Sequence, residues 1–311
     1  MDGNQITARA PASISNVCCG FDILGFALND PFDEVTARKS DEPGIHISKV
    51  IGVTNDLSLD PDKNIMGIVA TAFFEKLDQE PCVELELNKG MGIGTGLGSS
   101  AASAAATAVA LNALFDTPFT HEQLLEIALK GEEVISGGRH ADNVAPSLHG
   151  GLVLVKNDDP LDIYPIPSLL DIHCVVVSPD ISILTKSSRK ALSRSVALPK
   201  VVRQTSHIAG LILGLVTGDR ELVAKSLCDE IIESQRYKQI KPYRKIKAIA
   251  QSHGALGCGI SGSGPAMFAL CDNPIQSLEL ANAWEQACEK NNIECDTYIS
   301  SLICPGARVV S

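Results

Sequence analysis

Between residues 90 and 106 the chain carries glycine at 90, 92, 94, 96 and 98, then Ser99-Ser100, then an alanine-rich run. Just ahead, Cys82-Val-Glu-Leu-Glu-Leu-Asn88 alternates apolar and acidic residues, the period of a half-buried strand. The unit therefore reads strand, glycine loop, helix N-terminus. Glycine lets the backbone adopt positive φ and approach a ligand closely. The unpaired N–H groups of a first helical turn, at the positive end of the helix dipole, favour an anion such as phosphate. Ser99 and Ser100 occupy the places of N-cap residues and could add hydroxyl donors or a metal ligand. No Gly-Lys-Ser/Thr follows, which excludes a Walker A loop. The glycines at 94, 96 and 98 also miss the GxGxxG spacing, because Ser99 stands where the third would be.

Composition narrows the partners. Twenty-six basic against 37 acidic residues give a net charge of −11, which argues against a nucleic-acid surface or an anionic membrane. An anionic substrate would need locally concentrated arginines. With 45% hydrophobic residues the 311-residue chain can bury a full core, as one large domain or two joined ones. None of the ten cysteines is spaced C-x-x-C, and several sit in apolar runs such as His173-Cys-Val-Val-Val177. They read as small buried hydrophobes in a reducing cytoplasm. The first residues lack a basic and apolar leader, and no run of 18 apolar residues occurs.

Along the chain, periodicity predicts strands at 5–10, 34–39, 45–51 and 82–88, and helices at 64–77 and 99–115. Thr120-His-Glu-Gln123 forms a capping box for a helix running to Ile135, which Gly137-Gly138 ends. Strands are expected at 151–155 and 172–178, then helices at 185–194, 199–217, 219–235 and 241–253. Strands at 256–260 and 266–271, a helix at 275–290 and strands at 295–302 and 307–310 complete an α+β pattern. Ala12 to Asp22 reads as a polar, glycine-bearing turn between two hydrophobic segments, and Arg139-His-Ala-Asp-Asn-Val-Ala-Pro146 as a dense polar cluster opening an apolar stretch.

A kinase must cradle phosphates, hold Mg²⁺ and orient an acceptor hydroxyl. Ser100 could supply a hydroxyl to the cation, and Glu132 or Glu133 a carboxylate. A lone glutamate on a helix is more often a solvated face, and Asn16 and Asp22 could merely satisfy turn backbone. Arg189 and Arg236 suit a bidentate grip on a carboxylate or phosphate, and His140 could be a ligand donor or a structural histidine.

Three segments in order carry more weight than any single residue: Pro11-Ala-Ser-x-x-Asn-x-x-x-Gly-Phe-Asp22, Gly96-Leu-Gly-Ser-Ser-Ala-Ala102 and Gly259-Ile-Ser-Gly-Ser-Gly-Pro-Ala266. Together they resemble the three motifs of the GHMP kinase superfamily over residues 5 to 310. Within it the chain is most similar to the homoserine kinase family, through Asn16-x-x-x-Gly-Phe-Asp22, His140-Ala-Asp-Asn-Val-Ala-Pro146, the segment from Ser182 to Arg189, and Gly-Ala-Arg-Val near the end. The resemblance implies a two-domain α+β fold. A ribosomal-protein-S5-like ATP-binding domain (1–160), with a left-handed β-α-β crossover, would precede a ferredoxin-like domain (161–311).

It also implies a site. The backbone of Gly90, Met91, Gly92, Ile93, Gly94, Thr95, Gly96, Leu97, Gly98, Ser99, Ser100 and Ala101 would wrap the triphosphate of ATP, with Ser100 and Glu132 on Mg²⁺. Asn16, Asp22, His140, Asn143, Arg189 and Arg236 would line a pocket for L-homoserine, with Thr185 near the catalytic centre. The arginines would take the α-carboxylate, Asp22 the ammonium, and Asn143 the reacting hydroxyl. Catalysis would rest on Asn143, Thr185 and Arg189, and on positioning rather than a general base. A cytoplasmic homodimer is the implied assembly. Position 92 departs from the family, holding glycine where proline is usual, which leaves the loop freer without removing its N–H donors. Other acceptors within the superfamily, mevalonate or a sugar, are the alternative that the paired arginines with Asp22 disfavour.

Overall fold

The computed structural model describes residues 4–54, 56–183 and 185–311, the side chains of 185–187 excepted. The chain begins with β1 (Gln5–Ser15), β2 (Leu24–Lys39), β3 (Gly44–Gly52), α1 (Ile65–Leu77), β4 (Cys82–Lys89), α2 (Ser99–Leu114), α3 (His121–Ser136), α4 (Ala141–His149), β5 (Leu152–Asp158) and β6 (Leu161–Ile166). There follow β7 (His173–Pro179), α5 (Thr185–Lys190), α6 (Leu198–Thr217), α7 (Arg220–Ser226), α8 (Glu233–Arg236), α9 (Tyr243–Ser252), β8 (Gly257–Ile260), β9 (Met267–Cys271), α10 (Pro274–Glu289), β10 (Cys295–Ser301) and β11 (Arg308–Val309).

Two sheets form. The first runs β11-β1-β2-β4-β3, with β5 and β6 added along β2; the second runs β10-β7-β9-β8. β3 and β4 are parallel, joined through α1, whereas the other ladders are antiparallel. In chain order the second sheet reads 4-1-3-2, with α10 between its third and fourth strands, the ferredoxin-like arrangement. The C-terminal β11 crosses back to pair with β1, and β5 and β6 pair across the turn at 159–160, where the resemblance implies a domain division.

The alternation in β4 does what the sequence requires. Val83, Leu85 and Leu87 are buried, while Glu84 and Glu86 reach Arg38 on β2 at 3.5 and 2.6 Å. α2 is different: 13 of its 16 residues are buried, so it is a central helix and not an amphipathic one. Its alanines let β1, β2, α1, α3 and α4 all approach closely. A second, smaller core gathers around Trp284, whose indole N–H donates to the Ile246 carbonyl at 3.0 Å and ties α10 to α9.

Two expectations need correction, for the turn at 12–22 and the helix at 219–235, and two elements, α4 and β6, are additions to the expected order. β1 continues to Ser15 and β2 starts at Leu24, so the expected polar turn shrinks to residues 16–23. Asn29, Asp30 and Pro31, poor strand formers, lie opposite the register shift between Pro11 and Ser13, which absorbs the irregularity. Residues 139–146 open a helix, α4, which contains Pro146 and has no side-chain cap. β6 is a strand despite Pro165. The expected helix over 219–235 is two short ones, because the Asp229 carboxylate accepts from the N–H groups of Ile231, Ile232 and Glu233 and starts a new helix there.

Candidate active site

The glycine loop connects β4 to α2, and one buried ion pair fixes both of its ends. Lys89 donates to Asp33, to the Ser99 carbonyl at 2.8 Å and to Ser103 at 2.9 Å, while Asp33 accepts from the Gly90 N–H at 3.0 Å. Inside the loop, Gly94, Gly96 and Gly98 have φ of 71°, 84° and 65°. A Cβ at Gly98 would lie 2.2 Å from Ser13 Oγ, so only glycine fits there. Neighbours hold the loop by its carbonyls. Ile183 donates to Gly94, Ala266 to Thr95, Ser261 Oγ to Gly96 and Ser13 to Leu97, at 2.6 to 3.0 Å. The N–H groups from Met91 to Gly98 have no close acceptor among the described residues. Gly98, rather than Ser99 or Ser100, is the N-cap of α2, and no side chain caps the helix. The serines stand inside the first turn, where their N–H groups are left for an anion.

This loop forms part of the wall of a cavity of about 360 Å³. Ile93, Gly94, Thr95, Gly96, Gly98, Ser99 and Ser100 line it; Gly90 and Gly92 do not, and Met91, Leu97 and Ala101 turn into the core. Glu132 reaches the cavity from α3 although only 4% of it is exposed. Its Oε1 accepts from Ser136 at 2.6 Å, and its Oε2 is buried without a hydrogen-bond partner. Burial pushes this carboxyl pKa up, against the opposing pull of Ser136, Ser100 and the Lys89 charge. An orphaned carboxylate oxygen beside a serine hydroxyl fits a hard divalent cation.

Asn16, Asp22, His140, Asn143, Arg189 and Arg236 also line this cavity. They come from four places in the chain, and the backbone that presents them is left-handed at Asn16 (φ 70°), Val17 (40°), Cys18 (58°), Asp22 (61°) and His140 (38°). Such conformations cost non-glycine residues roughly 1–3 kcal/mol each and persist where the surroundings enforce them. Here Asn16 Nδ2 donates to the Gly262 carbonyl at 2.9 Å, Asn16 Oδ1 accepts from the Asp22 N–H at 3.1 Å, and Gln204 Nε2 donates to the Cys19 carbonyl at 2.7 Å.

Arg189 grips Asp22 with both arms, at 2.8 and 2.6 Å, and its Nη2 lies 3.4 Å from His140 Nδ1. Burial first, and the Arg189 charge second, lower the His140 pKa, so the ring is neutral at pH 7 with Nδ1 placed to accept. Arg236 is 4% exposed; its Nη1 donates to the Gly262 carbonyl at 2.6 Å and its Nε is buried without a partner. Burial lowers its pKa, yet an arginine stays charged, so this cation lacks a carboxylate in contact among the described residues.

Two contributors, Phe21 and Lys89, escaped sequence reasoning, and a third, Asp142, stood beside Asn143 with no role assigned to it. Phe21 lies under both guanidinium groups, 5.4 Å from Arg189 and 5.3 Å from Arg236, and was hidden as one apolar residue of a motif. Lys89 looked like the end of a strand. Asp142, 2% exposed, accepts from Asn143 Nδ2 at 3.3 Å, and its pKa is raised to about 7 by burial and then by the Asp22 charge. The side chain of Thr185 lies outside the described residues; its backbone begins α5.

Comparison with known proteins gives the class. Residues 64–151 match the family model "GHMP kinases N terminal domain" and residues 211–290 match "GHMP kinases C terminal". The chain is 38% identical to the homoserine kinase of Chloroherpeton thalassium, over 98% of this chain and 99% of that one. A crystal structure of homoserine kinase from Cytophaga hutchinsonii superposes with a TM-score of 0.96 at 39% identity, covering 99% and 98% of the two chains. Mevalonate kinase of L. major shares the fold, with a TM-score of 0.71 at 15% identity. The chain belongs to the homoserine kinase family of the GHMP kinases.

Proposed function

We propose that this enzyme transfers the γ-phosphoryl group of ATP to the side-chain hydroxyl of L-homoserine, giving O-phospho-L-homoserine and ADP, a step toward threonine. The observation that carries the acceptor assignment is Arg236. A buried guanidinium with an unpaired Nε calls for an anionic ligand. The α-carboxylate of an amino acid meets that demand. Arg189 and Asp22, now paired with each other, can exchange that contact for the carboxylate and ammonium of a zwitterion.

In the mechanism the N–H groups of the cavity-lining loop residues Ile93, Gly94, Thr95, Gly96 and Gly98, with the first turn of α2, receive the phosphates. Leu57, Ile65 and Ile135 offer the same cavity an apolar wall for the base. Glu132 Oε2 and Ser100 are the residues that would hold Mg²⁺, which when bound supplies positive charge against the phosphate oxygens. Asn143 orients the acceptor hydroxyl. The hydroxyl oxygen bonds to the γ-phosphorus in line with the departing β–γ bridging oxygen, ADP leaves with that electron pair, and the hydroxyl proton passes to an oxygen of the transferred phosphoryl group.

A second reading concerns the hydroxyl proton. An amide cannot accept it, but the neighbouring Asp142 carboxyl has a pKa near 7, a value suited to a general base. Asp142→Asn separates the two readings. Catalysis by positioning alone predicts that kcat survives with little change, and proton transfer to Asp142 predicts a fall of about 10²-fold or more. The whole proposal is tested by ADP release: Arg236→Ala should raise KM for homoserine far more than KM for ATP, and equal effects on both would defeat the carboxylate assignment.

We also assign the enzyme to the cytoplasm as a homodimer. All ten cysteines are unpaired, in keeping with a reducing compartment, and no helix among the described residues is long and apolar enough to cross a membrane. Sedimentation of the purified chain tests the assembly.

A further inference from the structure

Away from the cavity, three chemically different donors converge. His207 on α6, and Cys228 and Glu230 on the segment between α7 and α8, place one ligand atom each within 4.8 Å of one another. Cys228 is the single exposed thiol of the ten; seven are buried and two are half-buried. The two oxygens of Glu230 have separate surroundings. Oε2 is held by Arg203 at 3.0 Å, one helical turn before His207, and Oε1 faces His207 Nε2 at 3.9 Å. Gln204, on the same face of α6, fixes the segment by accepting from the Glu230 N–H at 2.8 Å. Arg203 and Gln204 therefore aim the carboxylate at the imidazole and leave its second oxygen available.

We propose that His207, Cys228 and Glu230 form a binding site for a borderline-soft divalent transition metal, with zinc the best match, and that its occupancy disturbs the acceptor pocket. Imidazole, thiolate and one carboxylate oxygen are a donor set for zinc, whereas Mg²⁺ and Ca²⁺ take oxygen ligands. Tetrahedral zinc with bonds of about 2.0–2.3 Å sets its ligand atoms about 3.3–3.7 Å apart, so the trio must contract by about 1 Å. Rotation of the exposed Cys228 and a small advance of its segment suffice.

That segment is not free to move alone. Asp229, between the two ligands, accepts from the Ile231, Ile232 and Glu233 N–H groups where α8 begins, and α8 carries Arg236. Gln204 joins Glu230 to the Cys19 carbonyl in the left-handed acceptor loop. Drawing residues 228–230 toward α6 shifts the cap of the helix that presents Arg236. This kinetic consequence rests on the acceptor reading above; the metal binding does not.

The test uses the metal-free full-length enzyme in excess Mg²⁺, titrated with Zn²⁺ against a chromophoric chelator and with Co²⁺ as a spectroscopic probe. Expected are one Zn²⁺ per chain, affinity weakened at least about tenfold by either Cys228→Ser or His207→Ala, and a thiolate-to-cobalt charge-transfer band lost in Cys228→Ser. Zinc should raise KM for homoserine severalfold in the wild type and leave both variants unaffected. Undiminished zinc affinity in both variants, or no binding to the wild type, overturns the site. Binding at the trio with KM unchanged overturns the coupling. Absence of homoserine turnover before zinc is added counts against the proposed function instead, so the two failures are distinguishable.

Discussion

Asp142→Asn should make the enzyme's stability less sensitive to pH, by an amount that follows from burial. The Asp142 carboxyl has a pKa of about 7 in the folded chain against 3.8 for the exposed group. Between those values the folded protein holds a proton that the unfolded chain has released. Wild-type stability therefore falls as pH rises, and the loss is complete above the folded pKa. At about 1.4 kcal/mol per pH unit the whole interval costs about 4 kcal/mol, and the part between about pH 5 and about pH 8 costs about 2.7 kcal/mol. Asparagine has the same shape and no proton to lose. The amide introduces a pH-independent offset, because its N–H₂ must find acceptors where the carboxylate accepted N–H groups from Asn16 and from its own backbone. The offset cancels in the comparison. Urea unfolding of both proteins at the two pH values should give a stability difference that moves toward the variant by about 2–3 kcal/mol on going to the higher pH. A difference that stays flat, or moves the other way, would refute the claim that burial beside Asp22 keeps this carboxyl protonated.

The other predictions follow from the same contacts. Lys89→Met leaves Asp33 buried and uncompensated and should cost about 3–5 kcal/mol in denaturant unfolding. The double variant Lys89→Met/Asp33→Leu should recover much of that loss, and failure to recover it would mean that the hydrogen bonds to Gly90, Ser99 and Ser103 matter more than the charge. Gly98→Ala places a Cβ in a left-handed residue 2.2 Å from Ser13 Oγ. It should raise KM for ATP and destabilise the fold by at least roughly 1–2 kcal/mol, read from steady-state kinetics and melting together. Glu132→Ala should abolish the response of ATP turnover to added Mg²⁺, and an unchanged Mg²⁺ dependence would remove Glu132 from the cation. Arg236→Ala should raise KM for homoserine by about a hundredfold, and Asn143→Ala should lower kcat with less effect on KM.

How much of this the sequence disclosed varied with the kind of signal. The β4–loop–α2 unit was legible because its physics is local: alternation, glycine, then alanine need nothing from the rest of the chain. α3 was likewise announced by its Thr120/Gln123 capping box, both halves of which form. Strand β2 was half hidden, since Gly25, Asn29, Asp30 and Pro31 are breakers by propensity; Gly25 pairs with Ser15, and residues 28–31 fall in the register shift between Pro11 and Ser13, where the Asn29 N–H donates to Ser300 instead. The break between α7 and α8 depends on Asp229 turning its carboxylate onto three backbone N–H groups, which composition does not show. The structure places Asn16, Asp22, His140, Asn143, Arg189 and Arg236, which motif resemblance singled out, around one cavity. What it did not convey is how they are paired. Asp22 and Arg189 satisfy each other, Arg236 is left with a buried unpaired Nε, Phe21 lies beneath both arginines, and Asp142 is buried against its own charge. These are consequences of tertiary contacts between residues more than a hundred positions apart.

The most direct measurement is ADP release from MgATP with L-homoserine, mevalonate, galactose and L-threonine offered separately. Strong turnover with homoserine and none with mevalonate or galactose is the predicted result. Turnover with mevalonate or galactose in place of homoserine would keep the phosphate loop and contradict the assignment of Arg236 and Arg189 to an amino-acid carboxylate.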